Sequence, residues 1–285
     1  MDKLIIIGGA TGTGKTAYAE KVASELNGEI ISADSMQVYK GLDIGTAKDK
    51  NLSVPQHLID AVEPHENFTV VDYMVRAERA VKEISSRGKT PIVCGGTGFY
   101  INSLIYELSY GNHEDGGLRE QLYKHYETFG IDSLYEELVN NDPTSGEKIH
   151  KNNVRKVIRA VEVLRTTGKP YSAQGDSLKK KISNYDLIVL KVSPREKLYE
   201  RLNDRVDKMF FSGLKQEVRG LLDVGVTFDM QSMQGIGYKE WQNHFFGTLT
   251  ENEVCELIKK NTRNYAKRQE TWFYNQYPEA QIKVF

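Results

Sequence analysis

The chain opens its hydrophobic pattern with four consecutive apolar residues at 4–7 before Gly8. A short run that is apolar at every position predicts a strand buried on both faces. A glycine-rich turn and a helix over about 16–26 are expected next. A second short strand follows at 29–32, leading into the loop-rich stretch "ADSMQVYKGLDIGTAK". Thr69 and Asp72 have capping-box spacing, and the helical pattern they open runs to Ser86 before Gly88. "TPIVC" is another apolar strand, ending in Gly95, Gly96, Thr97 and Gly98 ahead of a further helix. Strands alternating with helices predict an α/β fold with a parallel, doubly wound sheet.

After about Tyr110 the strand signal stops. "LREQLYKHYETFG", "DSLYEELVNN" and "NNVRKVIRAVEVLRTTG" carry helical periodicity, broken by Gly130, Asp142-Pro143 and Gly168. "YSAQGDSLKKKISN" reads as a loop, and "DLIVLKV" restores a buried strand. The expected organisation is a core of 1–110 and 185–285 with a helical insert at 111–184. Thr250 and Glu253 form a second capping box, opening a long helix through about Phe273. On a 3.6-residue period Val254, Ile258, Tyr265 and Trp272 share one face, and Lys259, Lys260, Arg263, Lys267 and Arg268 spread over the opposite side.

Composition narrows the functional classes. With 27% charged and 39% hydrophobic residues the 285-residue chain is expected to be globular. A formal net charge of -1 gives no global attraction to nucleic acid or anionic membrane, so any polyanion site must be a local patch. Cys94 and Cys255 lie in apolar patterns outside any metal-ligand spacing, which predicts buried free thiols. The apolar N-terminal run is too short for a signal peptide or a membrane span, so a cytoplasmic protein is expected.

The chemistry starts at Gly9-x-x-x-x-Gly14-Lys15-Thr16, the pattern of a phosphate-cradling loop between a strand and a helix. Gly9, Ala10, Thr11, Gly12, Thr13 and Gly14 would turn backbone N–H groups onto an anion at a helix N-terminus. Lys15 supplies positive charge, and the Thr16 hydroxyl suits a magnesium ion (Mg²⁺). Such loops usually hold ATP or GTP, but the pattern does not say which phosphate is bound. The strand that should end in a metal-holding acid ends instead in Gly-Gly-Thr-Gly. Asp34 is the only acid placed comparably near the loop, as a helix cap, an outer partner of Mg²⁺ or a general base.

At this point the chain resembles the tRNA dimethylallyltransferases, also called tRNA isopentenyltransferases. The resemblance rests on "GATGTGKT", "ISADSMQVYKGLDIGTAK", "HLID", "GGTGFY", "NNVRKVIRAVEV", "GLKQEV", "QGIGYKE" and "YAKRQETWF", in the family's order over nearly the whole chain. It implies a P-loop kinase-like core with a helical insert that helps clasp tRNA. It also implies transfer of a dimethylallyl group from dimethylallyl diphosphate to N6 of adenine 37, beside the anticodon, with help from Mg²⁺. By the same resemblance Asp34 accepts the N6 proton, Thr97 hydrogen-bonds near the reacting centre and Arg205 completes the diphosphate clamp. Asp34, Ser35, Met36 and Gln37 are the segment that reads the flipped base, with Gln234, Gly235 and Gly237 in a matching turn. Arg119 matches a tRNA-contacting position of the family, while Lys151, Arg155, Lys156 and Arg159, at the helical spacing of the insert, and Lys259, Lys260, Arg263, Lys267 and Arg268 on the C-terminal helix look from their spacing like a phosphate-contacting surface.

Some positions depart from the family. Ala10 stands where proline is usual, Thr13 where serine is usual, and Gln56 where histidine is common. The sequence ends soon after "YAKRQETWF", so RNA contacts from a longer tail are not expected. The fit to a whole-chain enzyme predicts a monomer. Three other readings compete: a prenyltransferase acting on free adenylate, a P-loop kinase of small molecules, and a nucleotide-gated RNA-binding protein. The insert and the basic C-terminal helix argue against the first, since a small acceptor needs neither.

Overall fold

The computed structural model describes residues 4–106, 117–173 and 184–285. It divides into two compact units, Met1–Ile105 with Ser183–Phe285, and Tyr106–Ile182. The first unit is built on six parallel strands, β1 (Leu4–Gly9), β2 (Gly28–Ser32), β3 (Gln56–His57), β4 (Thr90–Cys94), β5 (Tyr185–Lys191) and β6 (Gln281–Val284). Their order is β3-β2-β4-β1-β5-β6. Ile6, Ile7, Ile31, Ile92 and Val93 are all fully buried, which is why the central strands read as unbroken apolar runs.

Helix α1 (Lys15–Glu25) joins β1 to β2, α2 (Val70–Ser86) leads into β4, and α3 (Gly98–Ile105) leaves it. Gly14, at φ 84, opens α1 in a left-handed conformation that glycine adopts without steric cost. The capping box of Thr69 and Asp72 is formed at the start of α2. Because β4 lies between β1 and β2, the chain skips a strand on leaving the first loop. The carboxyl ends of β1, β4 and β2 therefore stand side by side, and a crevice at such a switch is the usual ligand site of an open α/β sheet.

The second unit is helical, with α4 (Leu118–Phe129), α5 (Asp132–Asn141), α6 (Pro143–Lys148) and α7 (Val154–Thr167). Leu122, Leu134, Leu138, Val157, Ile158 and Val161 form its core. Asn153 caps α7 by accepting from the Lys156 N–H, and Gly168 ends it at φ 65. The loop expected over 171–184 falls largely outside the described residues, apart from a 3₁₀ turn at 171–173.

Helices α8 (Arg195–Phe211), α9 (Leu214–Asp223), α10 (Trp241–Phe245) and α11 (Glu251–Gln276) complete the first unit. The α11 capping box forms as expected, but its buried stripe does not follow Tyr265 and Trp272, which are only partly buried. It runs through Val254, Ile258, Ala266, Gln269, Glu270 and Phe273, about one residue further round the helix. Cys94 is buried, whereas Cys255 flanks this stripe and is partly exposed, its Sγ 3.7 Å from Asp207 Oδ1. Among the described residues no helix is long and apolar enough to cross a membrane.

Candidate active site

Three strand ends build the site. The loop after β1 is internally tied: Thr13 Oγ1 and Lys15 Nζ donate to the Ala10 carbonyl at 2.8 and 2.6 Å. The Thr11 N–H donates to Gln269 Oε1 at 2.8 Å. Thr16 is exposed at the mouth of the loop. Burial pulls the Lys15 ammonium down to about 8, with Cys94 and Asp34 opposing and Arg205 adding to the shift.

Asp34 follows β2 directly. Its Oδ1 accepts from the Met36 and Gln37 N–H groups at 2.9 and 3.3 Å, which closes a turn over 35–38 and not the helix start considered from sequence, since no helix follows. No bond to Oδ2 is found among the described residues. The Ala33 N–H donates to the Cys94 carbonyl and the Thr97 N–H to the Ala33 carbonyl, at 2.8 and 3.1 Å, which lace β2 to the 95–98 turn. A Cβ on Gly95 would lie 2.1 Å from the Ala33 carbonyl oxygen, so only glycine permits this approach. Thr97 Oγ1 accepts from the Ser35 N–H at 3.1 Å.

Arg205, on α8, comes close enough to feel the Asp34 charge, and burial lowers its pKa while Asp34 raises it. Its Nη2 donates to the Thr46 carbonyl at 3.0 Å, the same oxygen that accepts from Gln37 Nε2 at 3.2 Å. The Gln37 amide, expected to read a base edge, is therefore engaged within the protein, its Oε1 accepting from Ser32 at 3.4 Å. Beside Arg205 lies a cavity of about 590 Å³ lined in part by Lys48, Arg201 and Lys208.

The 34–37 segment has a built frame. Gly235 packs on it, since a Cβ there would meet Met36 Cε at 2.5 Å. Gly237, at φ 97, donates its N–H to Glu240 Oε2 at 2.9 Å, and Gln234 is tied to the Phe228 carbonyl at 2.6 Å. Glu217, on α9, accepts from the N–H groups of Asp43, Ile44 and Gly45 at 2.9, 2.7 and 3.1 Å, and from the Tyr238 hydroxyl at 2.6 Å. One carboxylate thus fixes both the 43–45 loop and the turn after Gly237.

The basic residues divide into groups. Lys267 and Arg268 are exposed, and the Arg268 guanidinium lies 5.8 Å from the Tyr265 ring centre. Arg263 is held by Asn203 Oδ1 at 2.6 Å. Lys259 does not join this face: it pairs with Asp207 and Glu256 at 2.7 and 3.0 Å, because its position on α11 points at α8. In the insert Arg155 and Lys156 are exposed, whereas Lys151 precedes the helix and pairs with Asp132. Arg119 and Arg159 both bond Glu162 Oε2, at 2.8 and 2.9 Å. Glu162 is fully buried, and its Oε1 has no hydrogen-bond partner among the described residues.

Among the described residues no cluster of three or more His, Cys, Asp or Glu could cage a metal. An exposed Thr16 hydroxyl at the mouth of the loop fits a hard cation that keeps its waters and is completed by substrate phosphates. Sequence reasoning missed Gln269, Glu217 and Glu162, all polar letters inside charged helical runs. Gln269 was accessible, lying three residues after Ala266 and four before Phe273 on one helix face.

Two family models match: "IPP transferase" over residues 37–276 and "Isopentenyl transferase" over 2–57. A tRNA dimethylallyltransferase of Anoxybacillus flavithermus is 47% identical over 281 residues, covering 97% of this chain and 89% of the relative. That of Caldanaerobacter subterraneus is 46% identical over 278 residues, covering 95% and 88%. Among solved structures, a tRNA isopentenylpyrophosphate transferase of Bacillus halodurans matches with TM-score 0.72 at 40% identity, covering 100% of this chain and 90% of that one. A eukaryotic dimethylallyltransferase acting on tRNA matches with TM-score 0.82 at 30% identity, covering 100% and 74%. The chain belongs to the IPP transferase family, that of the tRNA dimethylallyltransferases.

Proposed function

We propose that this enzyme transfers the dimethylallyl group of dimethylallyl diphosphate to N6 of adenine 37 in tRNA, and that its phosphate loop holds the leaving group. The observation that carries this reading is the meeting of Lys15, Asp34 and Thr97, in the loops after three adjoining strands, with Arg205 of α8, and β4 running into Gly95 rather than a metal-holding acid. A phosphoryl-transfer site would want that acid. A prenyl transfer needs anion cradling on one side and a proton acceptor on the other.

The N6 lone pair forms a bond to the allylic carbon as the carbon–oxygen bond to diphosphate breaks. The leaving oxygens carry off the electron pair, and the N6 proton passes to Asp34. Backbone N–H groups of 11–16, Lys15 and Arg205 take up the charge that develops on the diphosphate. Bound Mg²⁺, held by Thr16 and the diphosphate oxygens, would add to that neutralisation. Lys15 must leave the Ala10 carbonyl to do this. Thr97 positions the reacting centre. The base leaves its stack to reach Asp34, and Gln37 exchanges its internal bonds for the adenine edge. Ser35, Met36, Gln234, Gly235 and Gly237 shape the acceptor side. Arg119, Arg155, Arg159, Arg263, Lys267 and Arg268 contact the phosphate backbone. A monomer working in the cytoplasm goes with this reading.

The test is incubation with labelled dimethylallyl diphosphate and Mg²⁺, with tRNA or AMP as acceptor. Label is expected on tRNA alone, and label on AMP alone would sink the proposal. In a thermal-shift comparison dimethylallyl diphosphate should stabilise the fold more than ATP does.

A further inference from the structure

The side chain of Gln269 spans two of the three strand-end loops. Its Oε1 accepts from the Thr11 N–H in the phosphate loop at 2.8 Å, and its Nε2 donates to the Gly96 carbonyl in the 95–98 turn at 2.9 Å. The residue is 7% exposed, so neither bond is easily replaced by water. Glutamine is suited to the place: it offers one acceptor and one donor from a single planar group. A carboxylate would set a second acceptor against the Gly96 oxygen, and an apolar side chain would strand both backbone groups.

The surroundings are shaped to admit this contact. A Cβ on Gly96 would lie 2.3 Å from Gln269 Nε2. On either side, a Cβ on Gly98 would meet Trp272 at 2.4 Å and one on Gly8 would meet Phe273 at 2.5 Å. Three residues of α11 thus sit on three glycines of β1 and the turn. One helical turn before Gln269, Tyr265 lies close enough to Gln269 and Thr97 for both to ease its ionisation, although burial pushes its pKa up to about 12. The same helix therefore holds both the loop and the Thr97 turn.

We infer that Gln269 is a positioning residue that sets the phosphate loop against the turn carrying Thr97, and so fixes the leaving diphosphate relative to the reacting centre. This rests on the prenyl-transfer reading for its consequence, but not for its geometry. Misplacing reacting groups by about 1 Å costs roughly 100-fold in rate, so a small loss of register suffices to matter.

Two measurements on Gln269→Met, which keeps the length and loses both bonds, test it. Hydrogen exchange should speed up about tenfold or more over 9–14 and 95–98 while the β1 and β4 amides stay protected. In steady-state transfer to tRNA, kcat should fall by about 10- to 100-fold, with tRNA affinity changed by less than about twofold. Combined with Thr97→Ala, the loss should be smaller than the product of the two single losses, because Gln269 acts through the Thr97 turn. Gln269→Glu, which retains the Thr11 bond, should lose the Gly96 side of the anchor and show faster exchange mainly over 95–98. Unchanged exchange in Gln269→Met, or a kcat loss that multiplies fully with that of Thr97→Ala, overturns the inference. If the wild type transferred no prenyl group, the functional reading would fall, while the exchange data would still decide the anchoring.

Discussion

At the scale of residues, the proposed transfer rests on Lys15 and Asp34, and each makes a distinct expectation. Free Lys15 loses its proton near 8 because burial penalises the charge. A bound diphosphate favours the charged form, so binding above that pH must take up a proton. Affinity for inorganic pyrophosphate, measured by calorimetry, should therefore fall as pH rises through about 8. Lys15→Met should bind more weakly and lose the part of that dependence not due to pyrophosphate itself. The sign for stability is the reverse. A lysine whose folded pKa lies below its ordinary 10.5 opposes folding fully below about 8, and the opposition fades as pH climbs to 10.5. Lys15→Met should raise the melting temperature at neutral pH and lose that gain at high pH. Asp34→Ala should lower kcat by about 100-fold or more, with tRNA affinity little changed. Full activity in that variant would remove Asp34 from the general-base role. Both residues were legible because the loop pattern is short and local, and Asp34 follows directly on a strand. Glu217 and Gln269 were not, because their partners lie 172 and 258 residues away.

At the scale of elements, the helices with capping boxes and the apolar strands could be read directly, since those signals are local. The buried face of α11 could not. Its apolar positions fit more than one phase, and contact with Gly8, Gly96 and Gly98 selects the phase that buries Gln269 and Phe273. Strand β6 is exposed along its length and polar in part, so nothing in its own pattern marks it; pairing with β5 defines it. The Glu217 carboxylate of α9 accepts three hydrogen bonds from the 43–45 loop and a fourth from the Tyr238 hydroxyl. Glu217→Ala strands several of those donors and should cost about 2–4 kcal/mol. Urea denaturation should show it as a lower midpoint at unchanged slope.

At the scale of the whole molecule, the parallel α/β architecture was legible from alternation alone, because both-face burial leaves unbroken apolar runs. Which phosphate the loop serves was not, because the loop's physics is the same for a kinase; the comparisons give the family, and the diphosphate in the loop belongs to the proposal. Recognition of a polyanion by a chain of net charge -1 must come from local patches. Lys267→Ala, on the exposed side of α11, should weaken tRNA binding and lower the slope of log affinity against log salt by about one. Pyrophosphate affinity should not move. The most direct measurement is mass spectrometry of the nucleosides of tRNA incubated with the enzyme, dimethylallyl diphosphate and Mg²⁺. One dimethylallyl group on N6 of a single adenosine, with one diphosphate released per transfer, is the expected result. Unmodified tRNA, with ATP-dependent phosphoryl transfer in its place, would contradict it.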